Sequence, residues 1–311
     1  MNVLIVGYGS IGQRHAELFE QLDCKVGIVS RRDSELSRDC YHSVAYALAA
    51  STWDIIVIAN RTAEHFFTLN DIIRLKYTGI VLVEKPIFDE LKELGELPFR
   101  KVLVSYNLRF HPGVQKLRHL LIGEKTISAH FYVGQYLPGW RPGQDYRDSY
   151  SASKEMGGGV LRDLSHELDL LQYLTGRWTR LSAIGGTYSH LQIDSDDIFS
   201  ILLQTDRCPV ATVQLNYLDR ITQRQIIVNT DRHTFSLDLI KGTLNVDGVV
   251  ESFDLERNAT YLVQHRQLLN EDFTQICSLE EGMNVLRMIE AIESASIREV
   301  WMQNEVVHDM R

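Results

Sequence analysis

Five short apolar runs punctuate the first third of the chain, at residues 2–6 (Asn2-Val3-Leu4-Ile5-Val6), 25–29, 54–59, 79–83 and 101–105. Each is too short for a helix and lacks the polar alternation of a half-buried strand, so each reads as a strand buried on both faces. Between them lie segments with helical spacing. After residue 10, Ile11, His15, Ala16, Leu18, Phe19 and Leu22 share one face. In residues 63–75 the apolar positions are Phe66, Phe67, Leu69, Ile72 and Ile73, with Thr62 placed to cap the helix. Strands alternating with helices predict a doubly wound parallel sheet. Beyond Gly123 the period changes to two. Residues 126–133, 181–188, 198–204, 210–217, 225–230 and 234–239 read as longer strands joined by turns such as Asp206-Arg207-Cys208-Pro209. That pattern predicts a mostly antiparallel sheet and an α+β second domain. We draw the boundary at 118/119, giving domains 1–118 and 119–311. Residues 278–294 read as a further helix, packed through Leu279, Met283, Leu286, Met288 and Ile289.

The first strand runs directly into Gly7-Tyr8-Gly9-Ser10-Ile11-Gly12. Glycines at these spacings permit a tight turn, close approach of a pyrophosphate to the backbone, and close packing of the helix on the strand. The free N–H groups of the following helix add an anion site. In this strand–turn–helix context the motif predicts a dinucleotide site in a Rossmann domain. The next strand ends in Ser30-Arg31-Arg32, where an acidic residue would grip a ribose diol. A hydroxyl and two guanidinium groups suit a 2′-phosphate, so NADP(H) is favoured over NAD(H). The alternative is that Arg31 and Arg32 are solvated and Asp33 reaches back to the ribose. Further residues at strand ends join the expected cofactor site: Asn60, Arg61, Thr62 and His65, then Glu84, Lys85 and Asn107.

Lys85 follows a buried strand and precedes Pro86. Ligands of parallel sheets bind outside the carboxyl ends of the strands, and a following proline keeps Lys85 out of helical space. Two later stretches carry chemistry. Residues 136–150 form a long polar and aromatic loop in which Trp140, Arg141, Tyr146, Arg147 and Tyr150 could hold a sugar ring or a phosphate-bearing ligand. Residues 157–171, Gly157-Gly158-Gly159 followed by Val160-Leu161-Arg162-Asp163-Leu164-Ser165-His166, predict a helix carrying Asp163 and His166 on one face. A histidine there can exchange a proton near neutral pH, oriented by a nearby carboxylate. Glu167 and Asp169 read as helix-surface or cap residues. Asn107, Arg109 and Arg162 complete the candidate substrate contacts. With no linker between the domains, the ligand site is expected in a cleft.

The bulk properties narrow the partners. The 311 residues are long for one core, and 44% apolar with 23% charged is the composition of a globular protein. A net charge of −9 argues against a nucleic acid or an anionic membrane as the main partner. No apolar run approaches the roughly 20 residues that span a bilayer. The start, Met1-Asn2 followed at once by a strand, carries no basic leader, so a cytoplasmic location is expected. Cys24, Cys40, Cys208 and Cys277 show no paired spacing and are expected to be reduced, mostly buried thiols, with no metal site.

Taken together, GYGSIG at residue 7, VEKP at 83, YNLRFHP at 106, GGGVLRDLSHELD at 157 and CSLEEGMNVLRMIEA from 277 resemble the glucose-fructose oxidoreductase / inositol dehydrogenase / rhizopine catabolism (Gfo/Idh/MocA) family. The resemblance covers most of the chain. It implies an N-terminal Rossmann domain and a C-terminal α+β domain built on a large, mostly antiparallel open sheet, often used to form a homodimer or homotetramer. It also implies nicotinamide-dependent oxidation or reduction of a hydroxyl or carbonyl carbon on a sugar, cyclitol or sugar nucleotide. Lys85 and His166 would flank the reacting carbon, with Asp163 beside them, and Pro86 would follow a cis bond. One departure stands out: many members carry an aspartate four residues before the histidine, and Asp163 is three before His166. Two other readings are compatible with the fold, an NADP-sensing regulator without catalysis and an NAD-dependent glycoside hydrolase.

Overall fold

A computed structural model describes residues 1–30, 38–254 and 256–304. Its contacts divide the chain into two units. The first comprises residues 1–110 and 258–286, and the second residues 111–257 and 287–311.

The first unit begins with β1 (Asn2–Val6), α1 (Ser10–Glu20), β2 (Lys25–Val29), β3 (Asp39–Tyr41), α2 (Val44–Ala50), β4 (Ile55–Ile58), α3 (Thr62–Arg74), β5 (Ile80–Val83) and β6 (Lys101–Val104). These strands pair in parallel in the order β6-β5-β4-β1-β2-β3, a doubly wound sheet whose order reverses at β1. The uninterrupted apolar runs are explained by burial, since every residue of β4 and β5 is shielded from solvent. α3 departs from its expected start: Arg61, not Thr62, stands at the cap, and no side chain bonds the first turn.

The second unit opens with α4 (Pro112–Leu120), whose first turn is capped by the His111 ring accepting from the Gly113 N–H. β7 (Thr126–Gly134) follows, then a run of three short 3-10 turns through Ala152. Next come α5 (Val160–Asp163), α6 (His166–Thr175), β8 (Trp178–Gly186), β9 (Ile198–Thr205), β10 (Val210–Asn216), β11 (Gln223–Thr230), β12 (Thr234–Asp238), β13 (Thr243–Val246) and β14 (Val249–Ser252). The chain then returns to the first unit as α7 (Ala259–Leu269) and β15 (Cys277–Ser278), which pairs antiparallel with β6. α8 (Leu279–Arg298) starts in the first unit and ends in the second, where β16 (Met302–Gln303) closes the described chain.

The second sheet has nine strands, β14-β13-β12-β11-β7-β10-β9-β8-β16, antiparallel throughout except for the parallel pair β7 and β10. The period-two pattern holds in the central strands β7, β9 and β10. Ala129, Phe131 and Val133 of β7 are buried while Ser128, His130 and Tyr132 are only half-buried. One expectation fails in this unit. Residues 157–171 are not one helix, because the chain breaks at Leu164 and Ser165 between α5 and α6. Asp163 and His166 therefore do not share a helix face. Glu167 and Asp169, read as surface residues, are buried, and Arg224 pairs with Glu167 at 2.8 Å. Cys24, Cys208 and Cys277 are buried thiols and Cys40 is exposed.

Candidate active site

The register of the parallel sheet builds the first part of the site. Val29, Val6, Ile58, Val83 and Val104 pair across neighbouring strands, so all five end in one row. The residues after them form one edge, and each is tied to its neighbour. Gly7 N–H donates to Val29, Ala59 N–H to Val6, Glu84 N–H to Ile58 and Ser105 N–H to Val83, at 2.8 to 3.0 Å. Ser30, Gly7, Asn60, Lys85 and Asn107 thus follow strands that stop together, at the carboxyl edge where such sheets bind ligands.

The Gly7–Gly12 turn is sterically required. Gly7 has φ +101°, and a Cβ there would lie 2.5 Å from the Asn60 backbone. A Cβ on Gly12 would lie 2.1 Å from the Gly7 carbonyl oxygen, so only glycine lets α1 pack this closely on β1. Gly9, in contrast, faces open space, with nothing within 4 Å of where its Cβ would stand. It is the cap residue of α1, and no side chain bonds the first-turn amides. Free N–H groups beside an open glycine are what a pyrophosphate requires, so the turn fits a dinucleotide. Tyr8 receives a hydrogen bond from Arg38, which also pairs with Glu20. Ser30 lies at the end of β2, and Arg31 and Arg32 fall outside the described residues.

Several expected contacts turn out to face inward. The Asn60 amide donates to Glu64 and Thr68 at 3.2 and 2.8 Å. His65 is buried against the carbonyls of Pro86, Ile87 and Asn60, and burial lowers its proton affinity. It ties α3 to the strand end rather than reaching a ligand. Asn107 sits in a 3-10 turn and donates to Thr260 Oγ1 at 2.7 Å. Arg109 is 1% exposed with Nη1 3.1 Å from Glu281, so the expected substrate contact is corrected to an internal ion pair. Burial alone would raise the Glu281 pKa, yet Arg109 and the Ser278 N–H hold it below the ordinary range.

Glu84, expected at the cofactor, is buried with 6% of the residue exposed, and its carboxylate accepts from His15 Nε2 at 2.8 Å. His15 Nδ1 lies 2.8 Å from His265 Nε2, and the His265 ring stacks on Phe19 at 3.9 Å between centroids. Burial would push the Glu84 pKa up, but His15, Ser105 and Lys85 together hold it below its usual value. Lys85 itself is partly exposed, and its bond to Pro86 is cis.

In the second unit, Asp163 ends α5 and His166 begins α6. Asp163 is 7% exposed and accepts from the Tyr217 hydroxyl at 2.6 Å, with the Tyr150 hydroxyl as a second partner. Both phenols are pushed above their ordinary range, Tyr217 by burial and then Asp163, Tyr150 by Asp163 and then burial. Trp140 meets the Tyr217 ring edge-on at 5.2 Å, and Arg141 lies over Tyr150 at 5.9 Å. The 136–150 loop therefore folds over the Asp163 cluster. It forms a half-open pocket of about 290 Å³ lined by Leu137, Pro138, Trp140, Arg141, Gln144, Asp145, Tyr146, Asp148, Ser149 and Ser151. Arg147 is exposed, pairs with Asp145 and donates to Gln192. Arg162, expected at the substrate, pairs with Glu293 of α8 at 2.5 Å. Tyr217 was missed by sequence reasoning, since only the fold brings it to Asp163, 54 positions away.

The profile of the oxidoreductase family with an NAD-binding Rossmann fold matches residues 1–101, and that of the GFO/IDH/MocA C-terminal domain matches residues 116–236. The chain belongs to the Gfo/Idh/MocA family of oxidoreductases. Among its curated relatives, 2,7-anhydro-N-acetylneuraminate hydratase of Escherichia coli is 27% identical over 161 residues, 49% of this chain and 42% of that protein. The match thus spans less than half of that relative's length. An uncharacterized oxidoreductase of Streptococcus pneumoniae is 22% identical over 292 residues, 88% of this chain and 76% of that one. Among solved structures, the WlbA dehydrogenase of Bordetella pertussis, crystallised with NADH and UDP-GlcNAcA, superposes with a TM-score of 0.80 at 17% identity over 97% of this chain and 98% of its own. Levoglucosan dehydrogenase with NADH and L-sorbose gives 0.83 at 14% identity over 97% and 98%. At such identities the structural likeness establishes the shared family fold.

Proposed function

We propose that the protein is an NAD(P)-dependent oxidoreductase that transfers a hydride between the nicotinamide and a hydroxyl or carbonyl carbon of a sugar, cyclitol or sugar nucleotide. The observation that carries this reading is the row of strand ends, on which the glycine turn and Lys85 share one edge of one sheet. The names of the family's WlbA and levoglucosan relatives support a carbohydrate-like substrate. Bound nicotinamide would supply the hydride acceptor or donor. In oxidation, the His166 imidazole takes the hydroxyl proton while the Lys85 ammonium stabilises the alkoxide oxygen; in reduction the proton runs the other way. Asp163, held by Tyr217 and Tyr150, fixes the turn from which His166 emerges. Trp140, Arg141, Tyr146, Arg147 and Tyr150 are assigned to the substrate, and Ser30 with Arg31 and Arg32 to a 2′-phosphate, which favours NADP(H).

Three further readings complete the proposal. The location is cytoplasmic, and no described helix is long and apolar enough to cross a membrane. The assembly is a homodimer or homotetramer through the nine-stranded sheet, whose outward positions such as Leu202 and Val210 are exposed. The hydratase name of the E. coli relative supports a second chemistry in which the nicotinamide is not consumed overall.

The test is turnover on a panel of sugars, cyclitols and sugar nucleotides with NADPH and NADP⁺. Lys85→Met and His166→Ala should each still bind NADPH and lose about 10²–10⁴-fold in rate. Normal turnover by either variant would overturn the assignment. Product formation without change in nicotinamide absorbance would select the second chemistry. NADPH binding with no reaction on any substrate would select the sensor reading.

A further inference from the structure

Glu84 occupies an unusual place in the first unit. It directly precedes Lys85, yet its carboxylate is turned inward and almost wholly buried. One oxygen accepts from His15 Nε2 at 2.8 Å, and the other lies 3.2 Å from the backbone N–H of Lys85. The Ser105 hydroxyl, with one proton to give, stands beside both the carboxylate and Gln264 Oε1, the latter 3.1 Å away. His15 is completely buried and is itself held by His265, so the three side chains form one hydrogen-bonded string from α7 through α1 to the end of β5. An ionised carboxylate can only accept, so His15 Nε2 carries the proton of the 2.8 Å bond. His265 Nδ1, at the far end, has no partner among the described residues.

A buried carboxylate is costly unless it is paired or hydrogen-bonded. The charged and titratable groups facing it are His15 from α1, Lys85 from its own strand end, His65 from α3 and Tyr261 from α7, the last with Arg14 over its ring. A lone anion in a poorly solvated place favours the charged form of any amine beside it.

We propose that Glu84 is a positioning residue for Lys85: clamped by His15, it fixes the backbone from which the lysine leaves the strand and keeps the Lys85 amine protonated. The role rests on the proposed part of Lys85 in catalysis, but it can be measured without turnover. The chain of cause runs from the His15 N–H, which keeps Glu84 anionic, to the anion, which keeps Lys85 cationic.

The experiment is the pH dependence of Lys85 acetylation by trace acetic anhydride on the full-length protein, read by peptide mass spectrometry, with the kcat/KM profile recorded alongside. In Glu84→Gln the Lys85 titration should fall by about one pH unit, and the alkaline limb of the kcat/KM profile should fall with it. His15→Ala should move Lys85 in the same direction, and His15→Gln, which keeps an N–H near the Nε2 position, should restore it. Melting curves identify any variant that fails to fold, and Glu84→Gln with His15→Gln suffices if His15→Ala is lost. An unchanged Lys85 titration in folded Glu84→Gln overturns the proposal, even if activity falls, because a purely structural Glu84 would lower the rate without moving the titration. A shifted titration in a protein that reduces or oxidises nothing upholds the proposal and refutes the catalytic role of Lys85.

Discussion

Removing one hydroxyl, in Tyr217→Phe, tests how the second unit holds Asp163. Tyr217 is fully buried, and its hydroxyl donates to an aspartate that is itself almost wholly shielded, at 2.6 Å. A hydrogen bond to a charged group contributes about 1.5–3 kcal/mol, and the loss is larger when the charge stays buried. Here Tyr150 remains as a second donor, which limits the loss to about 1.5–2 kcal/mol. For a chain of 311 residues that corresponds to a fall of about 2–3 °C in melting temperature. Tyr150→Phe removes the other donor to the same buried carboxylate, so its cost should be comparable even though 40% of the residue's surface is exposed. The assay is urea unfolding followed by circular dichroism, with a double-mutant cycle against Asp163→Asn. Coupling of about 1 kcal/mol or more is expected.

The pH dependence carries the sign of the argument. Both phenols are held above their ordinary range, so the folded state prefers them protonated. Their contribution is therefore complete below pH about 10, the ordinary phenol value, and is lost as pH rises beyond it. Wild type should lose more stability than Tyr217→Phe between pH 10 and 11. A Tyr217→Phe protein within about 0.5 kcal/mol of wild type at pH 7, with no coupling to Asp163, would refute the reasoning.

Other perturbations probe separate parts of the molecule. Gly12→Ala sets a Cβ 2.1 Å from the Gly7 carbonyl, so calorimetry should show nicotinamide binding weakened about tenfold or more, and unchanged affinity would contradict the turn's assignment. Asp196 accepts from the Leu161 N–H, yet burial raises it to about 6 against that bond. Its protonated form is thus favoured by folding, stability falls as pH rises from about 4 to 6, and Asp196→Asn should flatten that slope in urea titrations. Arg109→Met leaves Glu281 without its guanidinium and should destabilise by about 1–2 kcal/mol, below the cost for a fully buried pair because the Glu281 side chain is 40% exposed. If Ser30-Arg31-Arg32 reads a 2′-phosphate, Arg31→Ala with Arg32→Ala should weaken NADPH far more than NADH in fluorescence titrations, and equal effects would remove the NADP(H) preference.

Much of the frame was legible because burial writes itself into local pattern. A strand covered on both faces has no tolerance for polar residues, which is why residues 54–59 and 79–83 announce β4 and β5. A sheet covered on one face alternates, which is why residues 126–133 and 198–204 announce β7 and β9. The Gly7–Gly12 turn was legible for a different reason, since its contacts span only six positions and its sterics admit one residue type. Side-chain partners were not. Arg109 reads as a substrate contact because nothing within ten residues of it could show that Glu281 waits 172 positions later. The break between α5 and α6 was hidden because Leu164 and Ser165 continue the helical spacing, and the parallel pairing of β7 with β10 is a choice of topology that no strand encodes alone.

His15 shows where local pattern misleads. Its spacing in α1 is that of a core residue, and its side chain is indeed completely buried. What the pattern cannot say is that a buried imidazole needs partners, which here come from β5 and from α7, 69 and 250 positions away. Burial without those partners would cost several kcal/mol, so Glu84 and His265 explain why a histidine stands where leucine would pack more simply. A leucine would have filled the space and left the Glu84 carboxylate without its donor. A residue that is worse for packing than its apolar alternative, and that contacts the carboxylate beside a candidate catalytic lysine, is placed to control charge at that lysine.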